Sequence, residues 1–277
     1  MVVNVNPFFV TGRIPAAYFC DRVVESKVLS QALLSQMNVV VTSPRRMGKT
    51  ALVDFVFQQE VIQKDYFTID VDILHTTCFK EFIYALGTAA YDKIASRSDK
   101  MKRLFIATLR SLSASFGYDP IQNTPTFDIK LGDITTPDYT LREIFNFMEQ
   151  ADKRCLVVID EFQQITKYPE KNIEAVLRSY IQKMSNANFV FAGSQRTVLE
   201  EMFLSSRRPF FQSAKLMQLD AIELSVYQDF VVGHFREGGK DINPEAVEVA
   251  YRSFRGVTLY MQRVMKDAYA TTPQGAT

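Results

Sequence analysis

The sequence is short of several residues that specialised proteins use heavily. Its 277 residues include no tryptophan, only two histidines and only three cysteines, which lie far apart and form no C-x-x-C pair. The histidines, His75 and His234, are too isolated to build a metal cage. Scattered cysteines are typical of a reducing compartment rather than of a disulfide framework. The composition therefore argues against a disulfide-stapled secreted domain and against a zinc-bound fold.

The chain also lacks a long apolar run and an excess of charge of either sign. No stretch approaches the length needed to cross a bilayer, and residues 1–15 have no basic start and no long apolar run of the kind that secretory signals carry. The formal net charge is +1, so the overall charge gives no general attraction to nucleic acid or to an anionic membrane. We therefore predict a cytoplasmic protein without a membrane segment.

The most informative stretch that is present is a phosphate-binding loop, Ser43-Pro44-Arg45-Arg46-Met47-Gly48-Lys49-Thr50. It matches the pattern G-x-x-x-x-G-K-[ST], except that Ser43 stands in place of the first glycine. An apolar strand over 38–42 precedes the loop, and a helix over 51–57 follows it. Backbone N–H groups of such a loop converge on a phosphate, and the helix dipole favours negative charge there. We therefore predict that residues 43–51, through Ala51, bind a nucleotide.

Individual residues of the loop have predicted roles. Gly48 lets the backbone approach the phosphate closely, Lys49 supplies a cation for the β- and γ-phosphates, and Thr50 offers its hydroxyl to Mg²⁺. Arg45 and Arg46 either grip phosphates or face a partner, and the sequence does not choose between these roles.

Apolar strands alternate with amphipathic helices along the first 220 residues. Because the strands are apolar on both faces, they predict a parallel sheet covered by helices, an α/β fold of the P-loop NTPase type. The predicted strands are 38–42, 66–71, 155–159, 189–192 and 215–219. The predicted helices are 27–36, 51–57, 79–95, 139–152, 173–184 and 197–204.

An irregular stretch interrupts the alternation between about residues 96 and 140, and we interpret it as an insertion. It holds one basic helix over 100–112. Phe127, Ile129 and Leu131 alternate in it as in a short strand.

From residue 221 the pattern changes to helices alone, over 224–236, 244–254 and 259–269. We therefore predict a core that carries the phosphate loop over 1–220 and a small helical domain over 221–277. The tail from Thr271 is predicted to be a loop or linker, after which a further module would begin.

A pair of acids, Asp160 and Glu161, ends the apolar strand 155–159. Such a pair lies at the carboxyl edge of the sheet, where ligands bind in open α/β folds. Asp160 is predicted to hold Mg²⁺, mostly through water, and Glu161 to polarise the attacking water as general base. Ser194 and Gln195 follow the next apolar strand. They are placed to position the water if that strand lies between the loop strand and the acid strand.

Three arginines, Arg196, Arg207 and Arg208, come shortly after this polar strand end. One of them could stabilise the charge that develops at a neighbouring subunit's nucleotide. All three could equally be surface arginines, and the sequence leaves both interpretations open.

With these residues assembled, the chain resembles the AAA+-like P-loop ATPases of the archaeal-ATPase kind, relatives of the STAND signal-transduction ATPases. The resemblance rests on five blocks, namely Asn6-Pro7-Phe8 with 18–22 and Glu25, the loop 43–50 with its Pro-Arg-Arg insert, the strand 156–161, the strand 189–195, and the lid block 256–262. In the last block Thr258 stands where relatives usually have proline.

The resemblance implies more than the residues alone predict. It implies the strand order 5-1-4-3-2, a helical lid over the C-terminal helices, and ATP or ADP as the nucleotide, bound with Mg²⁺. It also implies that Tyr18, Phe19 and Arg22 lie near the adenine. Relatives often continue into a winged-helix module after the lid.

Three functions compete at this point. The first is a Mg²⁺-dependent ATPase that acts as a conformational switch. The second is a nucleotide-gated interaction module with little hydrolysis, which would assemble with itself or with a protein partner. The third is a P-loop kinase in which Asp70 and Asp72, at the end of the second strand, face a substrate. The net charge gives no support to a DNA-processing role.

Overall fold

The structure, a computed structural model, describes residues 5–119, 124–127 and 130–275. Within these ranges the chain divides into two compact units. We call the first the loop unit, which comprises the described residues of 1–29, 43–56 and 218–277. We call the second the sheet unit, which comprises those of 30–42 and 57–217. The phosphate loop belongs to the loop unit and the acid pair to the sheet unit, whereas a core–lid boundary at residue 220 stays a prediction.

The strands form one large sheet and one hairpin. They are β1 Val39–Thr42, β2 Tyr66–Asp72, β3 Phe116–Asp119, β4 Thr124–Phe127, β5 Arg154–Asp160, β6 Ala187–Gly193 and β7 Lys215–Gln218. The five-stranded parallel sheet has the order β2-β5-β6-β1-β7. Counted along the chain within this sheet, the order reads 5-1-4-3-2, which confirms the prediction.

The register of the parallel strands brings their carboxyl ends to one edge. Thr42 of β1 lies opposite Gly193 of β6, and Asp72 of β2 lies opposite Asp160 of β5. β6 lies between β1, which precedes the phosphate loop, and β5, which ends in the acid pair. The prediction for Ser194 depended on this order of strands, and the structure has it. The residues that follow β5 and β6 therefore lie side by side at the edge where open α/β sheets bind ligands.

A cluster of phenylalanines packs against β6 in the core of the sheet unit. The ring centroid of Phe191 lies 4.6 Å from that of Phe162, 5.0 Å from that of Phe203 and 5.5 Å from that of Phe210. All four side chains are at most 1% exposed. Burial of such large rings stabilises the fold and fixes the segment after the acid pair, which begins with Phe162.

The helices follow the predicted apolar periodicity, with differences at their ends. They are α1 Val23–Leu34, α2 Lys49–Phe57, α3 Glu60–Asp65, α4 Phe79–Lys93, α5 Asp99–Thr108, α6 Pro137–Glu149, α7 Ile173–Ile181, α8 Arg196–Leu204, α9 Leu224–Glu237, α10 Pro244–Phe254 and α11 Thr258–Thr271. The six-residue α3 was not predicted, because so short and polar a helix shows no apolar periodicity. Among the described residues, no helix has the length and apolar character needed to cross a membrane.

The insertion differs most from its prediction. α5 ends at Thr108 rather than 112, because Leu109 leaves the helical region with φ −90° and ψ 65°. A 3-10 segment, Arg110–Ser115, follows, and β3 and β4 then pair as an antiparallel hairpin that the sequence did not predict. The predicted strand through Phe127, Ile129 and Leu131 is not continuous: Phe127 ends β4, Ile129 lies outside the described residues, and Leu131 begins a 3-10 turn.

The C-terminal helices agree with the prediction to within two residues at each end. Together with the N-terminal segment they form the core of the loop unit. The ring centroid of Phe8 lies 5.8 Å from that of Phe235 in α9 and 5.9 Å from that of Tyr269 in α11. The predicted tail loop begins after Thr271, where α11 ends, and its residues 276–277 lie outside the described residues. The N-terminal block and the helices α9 to α11 therefore share one core.

Candidate nucleotide-binding site

The phosphate loop contains one glycine with positive φ and is followed at once by a helix. Gly48 has φ +90°, a conformation that side-chain-bearing residues rarely adopt, although a Cβ there would meet nothing within 4 Å. Its requirement for glycine therefore comes from conformation and not from space. α2 begins at the next residue, Lys49, and the N–H of Leu52 donates to the carbonyl of Gly48 at 2.9 Å. The loop thus leads directly into a helix N-terminus, whose dipole attracts anions.

The serine that replaces the first glycine of the motif needs no unusual backbone. Ser43 is not among the described residues that have positive φ, so the absence of glycine there introduces no strain. Its side chain is 2% exposed, and its hydroxyl donates to the carbonyl of Pro44 at 3.1 Å. Lys49 is also buried, at 8% exposed, whereas Pro44, Arg45 and Thr50 are exposed.

A buried arginine holds the middle of the loop. Nη2 of Arg22 donates to the carbonyl of Met47 at 3.2 Å and to the carbonyl of Asp220 at 2.7 Å. Nη1 of Arg22 lies 2.8 Å from a carboxylate oxygen of Glu25. The Arg22 side chain is 5% exposed, and a charge so deeply buried persists only when it is paired and hydrogen-bonded. The contacts that the structure gives Arg22 are protein groups, and its predicted place near adenine stays a prediction.

The first turn of α11 also bonds to the loop backbone. The N–H of Leu259 donates to the carbonyl of Arg46 at 3.1 Å. The hydroxyl of Thr258 donates to the carbonyl of Met47 at 3.3 Å, so this carbonyl accepts from both Thr258 and Arg22. A proline at this position would have no hydroxyl to donate. Thr258 therefore adds a side-chain hydrogen bond between α11 and the phosphate loop.

The side chain of Arg46 turns toward the same helix. Its guanidinium bonds to the hydroxyl of Tyr260 and lies 5.2 Å from the centroid of that ring, within the range of a cation–π contact. Arg46 itself has φ +71°, a left-handed conformation that is uncommon for a long side chain. These contacts are with α11 of the same chain, so the two roles that the sequence left open for Arg45 and Arg46, binding phosphates or facing a partner, stay predictions.

The predicted adenine-side aromatics pack within the loop unit. Phe19 stacks on Phe55 of α2, with 4.2 Å between ring centroids and 6° between ring planes. Tyr18 lies 5.4 Å from Phe9 and 5.5 Å from His234, measured between ring centroids. These contacts place both residues in the same unit as the phosphate loop, while their contact with a base stays a prediction.

The acid pair has defined partners in the sheet unit. Oδ1 of Asp160 accepts the N–H of Glu161 at 2.9 Å, and Glu161 itself has φ +56°. Oε2 of Glu161 accepts the hydroxyl of Ser194 at 2.8 Å and the side-chain N–H of Gln163 at 2.5 Å. The structure thus brings the predicted Ser194 and Glu161 together at the ends of adjacent strands. Gln195 precedes α8 and makes no side-chain capping bond with that helix.

Gln163 is the member of this cluster that the sequence analysis missed. It lies two residues after Glu161 and is 2% exposed. A polar residue so soon after the acid pair is the only signal in the sequence, and it could not have distinguished Gln163 from its neighbour Gln164. Gln164 instead donates to the carbonyl of Thr76 at 2.9 Å.

The other charged candidates have structural partners. Arg196 pairs with Glu200 at 2.6 Å, and Arg208 pairs with Glu174 and, at 3.4 Å, with Glu201. Burial raises the pKa of Glu174, although the neighbouring Arg208 opposes this rise. Arg207 is exposed.

The two aspartates proposed for a kinase are likewise engaged. Asp70 lies 3.4 Å from the amine of Lys93, and Asp72 accepts the N–H of Leu74 at 2.9 Å. Neither contact favours a substrate-facing role for these acids.

The donors predicted for Mg²⁺ are of the right chemical kind. Mg²⁺ prefers oxygen ligands and is usually held by one or two carboxylates together with substrate phosphates, rather than by an all-protein cage. The Thr50 hydroxyl at the start of α2 and the Asp160 carboxylate at the end of β5 supply such oxygens. Among the described residues, no group of three or more His, Cys, Asp or Glu side chains could hold a metal ion.

A phosphate loop between a strand and a helix of a parallel 5-1-4-3-2 sheet, with an acid pair ending a strand of the same sheet, defines a P-loop nucleotide-binding protein. The match to known families is more specific. Residues 19–264 match the family described as an ATPase domain predominantly from Archaea, and the chain belongs to that family. Among curated proteins, no match to the chain is found.

Several solved structures share the fold at low sequence identity. The Walker-type ATPase PABY2304 of Pyrococcus abyssi has a TM-score of 0.67 and 15% identity, over 96% of this chain and 72% of that one. The Aeropyrum pernix ORC2 protein, solved as ADPNP–ADP complexes, has a TM-score of 0.59 and 15% identity, over 94% of this chain and 63% of that one. The Aeropyrum pernix ORC1 protein, solved in complex with DNA, has a TM-score of 0.58 and 13% identity, over 91% of this chain and 60% of that one. The chain thus spans less than two thirds of the length of the two ORC proteins.

Proposed function

We propose that this protein is a Mg²⁺-dependent ATPase that works as a conformational switch. The observation that supports the proposal is the Glu161 carboxylate, which accepts the Ser194 hydroxyl from the end of the neighbouring strand, in a chain whose phosphate-loop motif leads directly into a helix N-terminus. Membership of an archaeal ATPase family supports it independently. A phosphate loop by itself predicts nucleotide binding, and the acid pair adds the chemistry of hydrolysis.

The residues of each unit would have separate roles. In the loop unit, Lys49 neutralises the β- and γ-phosphates and Thr50 gives a hydroxyl to Mg²⁺. In the sheet unit, Asp160 would hold Mg²⁺, and Ser194 and Gln195 would orient the attacking water. Glu161 accepts a proton from that water as its oxygen bonds to the γ-phosphorus, while the bond from the γ-phosphorus to the β–γ bridging oxygen breaks and ADP leaves. When bound, Mg²⁺ supplies the positive charge that stabilises the phosphates during transfer.

The switch part of the proposal rests on the hydrogen bonds from α11 to the phosphate loop. Leu259 and Thr258 donate to the carbonyls of Arg46 and Met47, which are part of the backbone that would surround the phosphates. A change of the loop backbone between its ATP and ADP states would therefore alter these bonds and shift α11. A ligand moves a conformational equilibrium only through such differential contacts.

The test is calorimetry with MgATP and MgADP on the whole chain, beside steady-state turnover. Lys49→Ala should abolish ATP binding, because the loop loses its cation for the phosphates. Glu161→Gln should retain ATP binding within about twofold and lower turnover by about 10²–10⁴, the usual contribution of a general base. Tight binding by Lys49→Ala, or unchanged turnover in Glu161→Gln, contradicts these assignments.

A nucleotide-gated interaction module with little hydrolysis is the second candidate, because the loop-to-α11 hydrogen bonds would respond to nucleotide even without turnover. Light scattering with ATP, ADP and no nucleotide distinguishes the two functions. Nucleotide-dependent self-association that persists in Glu161→Gln, with negligible turnover by the unmutated chain, would favour the second candidate.

A further inference from the structure

The amide of Gln163 has one orientation that its surroundings allow. Nε2 donates to Oε2 of Glu161 at 2.5 Å, and an amide oxygen turned to the same place would face a carboxylate that has no proton to give. The amide oxygen Oε1 is buried and has no hydrogen-bond donor among the described residues. A buried acceptor without a partner is unfavourable, and a leucine of similar size would avoid it. The hydrogen bond from the amide nitrogen to Glu161 therefore explains why an amide stands at position 163, and packing does not.

Gly193 provides the space in which this amide lies. A Cβ at Gly193 would fall 2.1 Å from Oε1 of Gln163 and 2.6 Å from Cδ1 of Leu199, both closer than a Cβ approaches another atom. Gly193 is not among the described glycines with positive φ, so conformation does not require glycine at this position. With the Gln163 and Leu199 side chains where they lie, the absence of a side chain at Gly193 leaves the space that the amide occupies. The end of β6 thus supports the Glu161 carboxylate in two ways. Gly193 leaves space for the Gln163 amide, and Ser194 donates its hydroxyl to Glu161.

The backbone around Gln163 is also fixed. The N–H of Gln164 donates to the carbonyl of Glu161 at 2.8 Å, and the hydroxyl of Thr166 donates to the carbonyl of Gln163 at 2.8 Å. Phe162 anchors the same 3-10 segment in the phenylalanine cluster of the core. Gln163 therefore presents its amide from a rigid position, as a group that orients another side chain must.

We propose that Gln163 is a positioning residue that, with Gly193 as its seat, fixes the rotation of the Glu161 carboxylate for activation of the attacking water. This inference rests on the proposed ATPase function. Both donors, Gln163 and Ser194, meet the same oxygen, Oε2, so together they set the plane of the carboxylate. A general base that is free to rotate spends less time aligned with its water, and small misplacements lower rates strongly.

The first experiment compares Gln163→Leu with the matched control Gln164→Leu, using steady-state ATP turnover and calorimetric ATP affinity on the full chain. Gln163→Leu should lower kcat by about 10-fold to 100-fold, while the Kd for ATP stays within about twofold. Gln164→Leu should leave both quantities within about twofold, because its side chain bonds to Thr76 and not to the acid pair. A merely structural role would lower ATP affinity and thermal stability together with kcat.

The second experiment keeps the idea testable if Gln163→Leu folds poorly. Gly193→Ala should reproduce the fall in kcat, because its methyl group displaces the Gln163 amide. In a Gln163→Ala background, Gly193→Ala should lower kcat by no more than about twofold further, since residues that act through one contact are not additive. Melting temperatures of all variants are recorded, because the new methyl group would also fall 2.6 Å from Cδ1 of Leu199.

The outcomes separate the two proposals. No ATP turnover by the unmutated chain would overturn the ATPase function, and the positioning role with it. Turnover by the unmutated chain that Gln163→Leu leaves unchanged would overturn the positioning role alone. Faster turnover in Gln163→Leu would also overturn it, because Gln163 would then restrain Glu161 and not align it.

Discussion

The loop unit and the sheet unit hold their functional groups by different means. In the loop unit we propose that Lys49, Thr50 and the backbone of residues 43–50 bind the nucleotide, and side chains from distant parts of the chain, Arg22 and Thr258, bond to that backbone. In the sheet unit the proposed base is the Glu161 carboxylate, which accepts hydrogen bonds from Ser194, after the neighbouring strand, and from Gln163 of its own segment. The loop therefore depends on long-range contacts that a conformational change can remake, whereas the carboxylate depends on the sheet register.

The two units also differ in what surrounds those groups. In the sheet unit, Phe191 of β6 packs with three other phenylalanines that are almost unexposed. One of them, Phe162, directly follows the acid pair in the sequence. Buried polar atoms without a hydrogen-bond partner among the described residues occur in both units, for example at Tyr227 and at Gln163, so they do not distinguish the two. The loop unit is the smaller of the two and is assembled from three separate segments of the chain. A smaller unit buries a smaller fraction of its surface and is less stable, so we expect the loop unit to open more easily than the sheet unit.

Among the contacts of the two units, the largest effect is expected from Arg22→Met, which removes the buried cation beside the loop while keeping a side chain of similar length. The carbonyl of Met47 keeps the Thr258 hydroxyl but loses the Arg22 donor. The Asp220 carbonyl and the Glu25 carboxylate lose that donor as well. A hydrogen bond to a charged group contributes about 1.5–3 kcal/mol. We expect ATP affinity, measured by calorimetry, to fall about 10-fold or more, together with a lower melting temperature.

The exposed Arg13, in the same N-terminal segment, provides the control for charge. Arg13→Met should change neither quantity measurably. Equal ATP affinities for Arg22→Met and the unmutated chain would show that the loop holds its conformation without its long-range anchor.

An effect of intermediate size is expected in the alkylation rates of the two buried cysteines, Cys20 in the loop unit and Cys155 in the sheet unit. Burial raises the pKa of Cys20 and that of Cys155 to about 12, so neither thiol reacts at pH 8 without local opening. In a Cys78→Ser background, mass spectrometry after alkylation should show Cys20 reacting about 10-fold faster than Cys155, a difference of about 1.4 kcal/mol in opening free energy.

Adding nucleotide makes the comparison more specific, because a ligand that binds the folded form of a unit lowers the fraction of molecules in which that unit is open. MgATP should slow the labelling of Cys20 more than that of Cys155. Equal rates for both thiols, with and without MgATP, would mean that the two units open together.

The smallest expected effect is a pH-dependent change in melting temperature that comes from Glu149 of the sheet unit. Burial by itself raises the pKa of Glu149, but hydrogen bonds from the Ser185 hydroxyl and from the N–H groups of Asn186 and Ser185 outweigh it and hold this pKa below its usual range. A carboxyl with a lowered folded pKa stabilises the fold above its unfolded pKa and loses that contribution as the pH falls through the folded pKa. Glu149→Gln should therefore lower the melting temperature at pH 7 by about 1–2 °C, and the difference should vanish in stronger acid.

Calorimetric scans between pH 3 and pH 7 would measure this change, with the exposed Glu60→Gln as control. ATP affinity should be the same in Glu149→Gln and in the unmutated chain, since Glu149 bonds to Ser185 and Asn186 before β6 begins, whereas the acid pair follows the opposite, carboxyl end of β5. A melting-temperature difference that stays constant over the whole pH range would show that the hydrogen bonds to Glu149 do not depend on its charge.

The sequence by itself determined the elements and the chemistry, because both depend on local pattern. Apolar runs predicted all five strands of the main sheet, and the spacing of Gly48 and Lys49 before a helix identified the phosphate loop. The acid pair was visible because it ends a fully apolar strand. The elements that the sequence missed, the short α3 and the β3–β4 hairpin, have too few residues to show a period.

Only the tertiary structure decided which side chains hold the functional groups. Arg22 reaches the Met47 carbonyl from 25 residues away, and Thr258 reaches the same carbonyl from 211 residues away. Gln163 was indistinguishable from Gln164 in the sequence, and the difference between them comes from a strand register that places Gly193 beside one amide and not the other. Such contacts depend on where separate segments meet in space, and a local pattern along the chain carries no information about that meeting.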